Sequence, residues 1–185
     1  MTTVLGIDPS LTNTGLAVIH DGVPVRRHSI GWSGHNGASY DEREERIVSL
    51  VNSISTWIKE SGVTADLAVI EGPIYHGKML PSQHDRAGAW WGFYSQLRRK
   101  LKVPRAVCSP TTRALWATGH GHADKKAVLG AVRAWYPGVK VLNDDIADAV
   151  VLGLMGTMKL DRSIRMPFLV KERHYEGLEA VAWPR

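Results

Sequence analysis

The stretch TVLGIDPSLTNTGLAVIHDGVPVRRHSI, residues 3–30, decides the fold. Residues 4–7 and 16–19 are apolar runs of strand length, joined by the polar segment DPSLTNTG. A third run, residues 23–30, follows Asp21-Gly22, a dipeptide suited to a tight hairpin turn. The pattern predicts a meander of three antiparallel strands. It also poses a chemical question, because a carboxylate, Asp8, closes the first strand. Followed by Pro9-Ser10-Leu11-Thr12-Asn13, such an acid is explained equally well as a turn residue, so its meaning depends on where the other acids fall.

Past a Gly- and Ser-rich loop at residues 31–39 the apolar period changes. Ile47, Leu50, Val51, Ile54, Trp57 and Ile58 recur at the spacing of an amphipathic helix that Gly62 ends, and the acidic first turn from Asp41 to Glu45 suits the positive end of the helix dipole. Residues 66–70 then form a short apolar run typical of a buried parallel strand, again closed by an acid, Glu71. A helix is expected over residues 82–101 with Ala87, Trp91, Tyr94, Leu97 and Leu101 along its stripe. A further strand is expected at 105–108, and Ser109-Pro110-Thr111-Thr112 reads as the start of the next helix. After the loop Gly119-His120-Gly121-His122, helices are expected over 124–136 and from Asp144 or Asp145 to about residue 158. The chain divides on this reading into a domain at 1–158 and an extension at 159–185, in which only residues 168–170 suggest a strand.

At 185 residues the chain suits one α/β domain with a substantial core. Twenty-three Lys and Arg against 18 Asp and Glu give a net charge of +5, which attracts polyanions without specifying one. A single cysteine, Cys108, excludes an internal disulfide and fits a reducing compartment. The start of the chain lacks the pattern of a signal peptide, and the apolar stretch at 149–155 is too short to cross a bilayer. The cytoplasm is the expected location, with no membrane partner.

Asp8, Glu71, Asp145 and Asp148 form the set that could do chemistry. Asp145 and Asp148, three apart on a helix, share a face, as do Asp144 and Asp148. With the first and fourth strands adjacent, Asp8 and Glu71 would lie side by side, and a helix across that edge would complete a cluster of carboxylates. Any one of these acids is also explained as a turn residue or a helix cap. Together they repel one another unless cations neutralise them, and hard oxygen donors in that number suit Mg²⁺ or Mn²⁺. Two such ions roughly 4 Å apart can activate water and stabilise the leaving oxygen of a phosphodiester.

The segments LGIDPSLTNTGLAVI (5–19), AVIEGP (68–73), GHGHADKKAVLGAV (119–132) and DDIADAVVLGL (144–154) resemble, in order and spacing, the RuvC family of Holliday-junction resolvases. The resemblance implies an RNase H-like fold, a five-stranded mixed sheet flanked by helices, and a homodimer that acts on four-way DNA junctions. It implies metal binding, with two ions per site, by Asp8, Glu71, Asp145 and Asp148; Asp145 is preferred to Asp144 because Asp145-Ile146-Ala147-Asp148-Ala149 meets the family's D-x-x-D-A pattern. It also assigns a catalytic, phosphate-facing lysine to Lys125, with Lys126 beside it. Tyr75 stands near the position of the family's aromatic wedge, and Lys78 and Arg113 are further candidate DNA contacts. The helix at 83–101, with Trp90, Trp91, Phe93 and Tyr94, occupies the family's dimer position. The loop at 76–81 and the tail depart from the bacterial pattern and suit a divergent, phage-type member.

Two other classes compete with junction resolution. A branched-DNA or flap nuclease would use the same acids with looser selectivity. The first motif also resembles the phosphate loop of actin-like ATPases, but the chain offers neither the second phosphate loop nor an adenosine pocket, so no nucleotide cofactor is expected.

Overall fold

The computed structural model describes residues 1–73 and 82–184. The meander is present as β1 (Thr3–Asp8), β2 (Thr14–His20) and β3 (Val23–Ile30), followed by α1 (Tyr40–Glu60), β4 (Leu67–Glu71), α2 (Gln83–Arg99) and β5 (Arg105–Cys108). Then come α3 (Pro110–Thr118), α4 (Lys125–Trp135), α5 (Asp144–Leu160) and α6 (Glu172–Glu179). The five strands form one sheet in the order β3-β2-β1-β4-β5, antiparallel within the meander and parallel from β1 through β4 to β5. This is the mixed sheet expected from the sequence.

Alternation along the strands separates two cores. Leu5, Ile7, Leu16, Val18, Ala68 and Ile70 pack with Leu50, Ile54, Trp57, Trp90, Phe93 and Leu97 of α1 and α2 on one face. Val4, Ile19, Leu67, Val69, Ala106 and Cys108 face α3, α4 and α5 on the other. Each fully buried Val, Leu, Ile or Met side chain contributes about 1.5–3 kcal/mol, so α5, with seven of them among its buried residues from Ile146 to Met158, is the anchor of its layer. Among the described residues no helix is long and apolar enough to cross a membrane.

Helix ends follow local chemistry. Ser39 and Glu42 form a capping box at the start of α1, Ser109 caps α3 with Pro110 in its first turn, and Asp124 caps α4. Asn143 caps α5, so Asp144 and Asp145 lie inside its first turn and are released from the capping role that the sequence left open.

The structure corrects two expectations. In α2 the buried positions are Ala89, Trp90, Phe93 and Leu97, whereas Trp91 is 63% exposed. With aromatics at 90, 91, 93 and 94, two stripes one residue apart are both apolar, and the Trp90 indole N–H selects one by donating to the buried Glu71 carbonyl at 2.8 Å. In the tail, Phe168 belongs to no strand; its ring packs against Trp116, Trp135 and His174. The β5 edge is met instead by Ala182, which exchanges two backbone hydrogen bonds with Val107. Met166, Leu178 and Val181 join the same core as α5.

Candidate active site

The register of the sheet puts Asp8 and Glu71 at one end. Asp8, the last residue of β1, lies opposite Gly15 of β2, and Ile7 pairs with Ile70, the residue before Glu71 at the end of the parallel neighbour β4. Helix α5 lies almost directly on these strands, because β1 and β2 offer it glycines. A Cβ on Gly6 would fall 1.8 Å from the Ala149 carbonyl oxygen, and one on Gly15 would fall 1.9 Å from that of Asp145. The missing side chains let the first turns of α5 reach the strand end, and Asp145 and Asp148 arrive beside Asp8 and Glu71.

The acids are not left to repel one another. Arg113 of α3 is 9% exposed and stands between the sheet and α5, its Nε paired with Glu71 Oε2 and its Nη1 with Asp148 Oδ1. Burial opposes the guanidinium charge, but Glu71, Asp148 and Asp8 more than offset that, so Arg113 holds its proton more tightly than usual. Asp145 accepts a hydrogen bond from the Asn13 amide and lies 3.7 Å from Lys125 Nζ, which makes a closer contact of 2.6 Å with Asp144. That contact raises the Lys125 pKa and lowers that of Asp144.

Asp8 is the exception. It is 8% exposed and, among the described residues, makes no side-chain hydrogen bond or ion pair. Burial first, and then the charges of Glu71 and Asp148, push its pKa well above the ordinary carboxylate range. Burial also pushes Asp148 up to about 7 despite Arg113. Cys108, beside Glu71 on the neighbouring strand, is a core thiol pushed up to about 12 by burial, which disfavours the thiolate a nucleophile needs.

Curated relatives match most of this chain. RuvC of Corynebacterium diphtheriae, a crossover junction endodeoxyribonuclease, is 28% identical over 162 residues, which cover 81% of this chain and 90% of that protein. The Rickettsia felis protein of the same name is 28% identical over 151 residues, 80% of this chain and 93% of its own length. Among solved structures, Thermus thermophilus RuvC in complex with a Holliday junction substrate superposes with a TM-score of 0.66 at 16% identity, covering 86% of this chain and 96% of that one. The yeast mitochondrial Holliday junction resolvase Ydc2 gives 0.53 at 14% identity, over 96% and 80%. The chain is a sequence relative of RuvC with an RNase H-like fold. No family model matches it.

For a RuvC relative the four acids are the natural place to look for a metal. Their hard oxygen donors fit a divalent cation. The arrangement as it stands is held by the chain's own cations, and among the described residues no group of three or more His, Cys, Asp or Glu side chains is set to hold an ion. Lys125 and Lys126 open α4 exposed to solvent, with Lys125 reaching the acids, whereas His120 and His122 lie exposed in the preceding loop. Tyr75 and Lys78 fall outside the described residues. Arg113, expected from the sequence at the DNA surface, is inside the cluster instead, because it shares a helical face with buried Trp116 and Ala117. That i, i+3, i+4 pattern was the one sequence signal of its burial. Asn13 gave no comparable signal of its contact with Asp145, a residue 132 positions away.

Proposed function

We propose that this chain is a structure-selective endonuclease that resolves four-way DNA junctions by paired symmetric nicks, leaving 5′-phosphate and 3′-hydroxyl ends. The observation that carries the reading is the convergence of Asp8, Glu71, Asp145 and Asp148 at one end of β1 and β4, in a chain that matches RuvC proteins over four fifths of its length.

Asp8, with the oxygens that Glu71, Asp145 and Asp148 do not give to Arg113, Asn13 and Lys125, would hold Mg²⁺ or Mn²⁺. A divalent ion supplies Lewis acidity and positive charge for attack of water on a phosphodiester. The chain's own contribution is placement. The glycine seam fixes α5 against the sheet, Arg113 ties Glu71 to Asp148, and Asn13 steadies Asp145. Lys125, 72% exposed on its side chain, can turn from Asp144 to an incoming phosphate and offset the charge that develops there. Lys126 lies next to it as a second phosphate contact, and Tyr75 and Lys78 are carried as DNA contacts on the strength of the family resemblance alone.

A homodimer would present two such sites to the two opposing strands. Trp91, exposed beside Tyr94 on α2, supports that helix as the dimer face. Action on DNA in the cytoplasm of a bacterium or a phage-infected cell accords with the relatives.

The test is cleavage of labelled four-way, three-way, flap and linear DNA in Mg²⁺ and Mn²⁺, with Asp8→Asn alongside. Symmetric nicking of the four-way substrate, lost in Asp8→Asn, is expected. Equal cleavage of linear DNA would sink junction selectivity, and an active Asp8→Asn would sink the metal assignment.

A further inference from the structure

Arg113 is more than a spectator of the acid cluster. Its guanidinium is buried, spans the gap between β4 and α5, and takes one oxygen from Glu71 and one from Asp148. Asp145 has a separate set of partners in Asn13 and Lys125, and Asp144 shares Lys125. The chain thus provides a cation or donor in direct contact for every acid at this strand end except Asp8, which is more than nine-tenths buried and, among the described residues, makes no hydrogen bond or ion pair, feeling Arg113 only through longer-range charge.

A buried carboxylate without a counter-ion is costly, and a cation bound beside it removes that cost. Glu71 and Asp148 already share one compensating charge. A second divalent ion placed between them would have to displace a guanidinium held by two charge-assisted contacts, or sit against it at like-charge repulsion.

We propose that Arg113 is a resident cation of the acid cluster, a positioning residue that stands in for a second metal, so that each chain binds one divalent ion, at Asp8. This rests on the nuclease reading of the same acids. It has a structural corollary: Arg113 offsets one of the two carboxylate charges between β4 and α5 before any metal arrives, and the residual charge there together with that of Asp8 is what one divalent ion balances.

The experiment is a Mn²⁺ titration of the full chain without DNA, with free Mn²⁺ followed by electron paramagnetic resonance and thermal unfolding measured in EDTA and in Mn²⁺. The wild-type protein should bind about one Mn²⁺ per chain and melt higher in Mn²⁺ than in EDTA by what a single tight ion supplies, a difference that Asp8→Asn should lose. Arg113→Met should bind about two and melt lower in EDTA, with Mn²⁺ returning most of the lost melting temperature. Arg113→Lys, which keeps the charge and guards against a simple folding defect, should stay at about one, and Asp8→Asn should lose the tight ion. Two tight ions in the wild-type protein, or one in Arg113→Met that folds in Mn²⁺, would overturn the proposal. Junction cleavage assayed on the same samples separates the two readings. Two ions with cleavage intact removes the role given to Arg113 and leaves the nuclease; one ion with no cleavage of any DNA removes the nuclease and leaves the stoichiometry.

Discussion

Replacing Gly15 by alanine should inactivate the site through backbone contact alone. Gly15 lies opposite Asp8 in the sheet, and a Cβ there would sit 1.9 Å from the Asp145 carbonyl oxygen and 2.3 Å from its carbonyl carbon. Gly15 is not among the residues with positive φ, so alanine meets no conformational penalty of its own, and all of the effect comes from space. Since real Cβ atoms essentially never approach within 3.0 Å, β2 and the first turn of α5 must part by about 1 Å. The atoms in the way are main-chain atoms of Asp145 and Ile146, which no rotamer change can move.

Forced overpacking of this kind costs about 1–3 kcal/mol of stability. A displacement of about 1 Å in a group that positions the reaction costs on the order of 100-fold in rate, equivalent to about 2.7 kcal/mol in the barrier. The assay is single-turnover cleavage of a labelled four-way junction, at a temperature where urea titration shows the variant fully folded. Gly130→Ala is the control: on α4, with nothing near its Cβ position, it should leave the rate unchanged and stabilise by about 0.5–1 kcal/mol. A Gly15→Ala enzyme that cleaves at the wild-type rate would refute the reasoning, because α5 would then not need its close seat on the strand to place Asp145.

Asp8→Asn should abolish cleavage yet raise the melting temperature in EDTA, since it removes a buried carboxylate that, among the described residues, has no ion-pair contact and is repelled by Glu71 and Asp148; a lower melting temperature would mean that the longer-range attraction of Arg113 outweighs that repulsion. His174, fully buried, accepts the Lys171 N–H at Nδ1, and burial lowers its pKa to about 4. The unfolded chain therefore takes up a proton near pH 6.5 that the folded chain refuses until about pH 4. Stability is complete above pH 6.5 and should fall by about 3 kcal/mol as pH drops toward 4, a slope that His174→Gln removes in urea titrations across that range. Leu178→Ala, in the tail helix, should cost about 3 kcal/mol in the same unfolding assay if the tail shares the core.

The sheet and its partner helices were legible because they depend on local periodicity. The meander, the apolar run before Glu71 and the amphipathic α1 each show in a window of a few residues. Helix α2 was legible as a helix but not in its facing, since the choice between Trp90 and Trp91 was made by an indole hydrogen bond to a strand 19 residues away. The tail was illegible for a related reason: Phe168 and Ala182 are placed by Trp116 and Val107, which lie elsewhere in the chain and carry no matching local pattern.

The candidate site divides along the same line. Its acids announce themselves, because a carboxylate at the end of an apolar strand, or paired at i and i+3 on a helix, is a local feature. Its cations and donors do not. Arg113 meets Glu71 and Asp148 across 42 and 35 residues, and Asn13 meets Asp145 across 132. A sequence reading therefore sees repelling charge and infers metal to balance all of it, whereas the folded chain already balances part of it with side chains brought in from α3 and from the β1–β2 loop. The glycines connect the two descriptions. Gly6 and Gly15 look like weak points in their strands, and yet their lack of a side chain brings α5 within reach, so that the acids legible in sequence and the partners that are not come to one strand end.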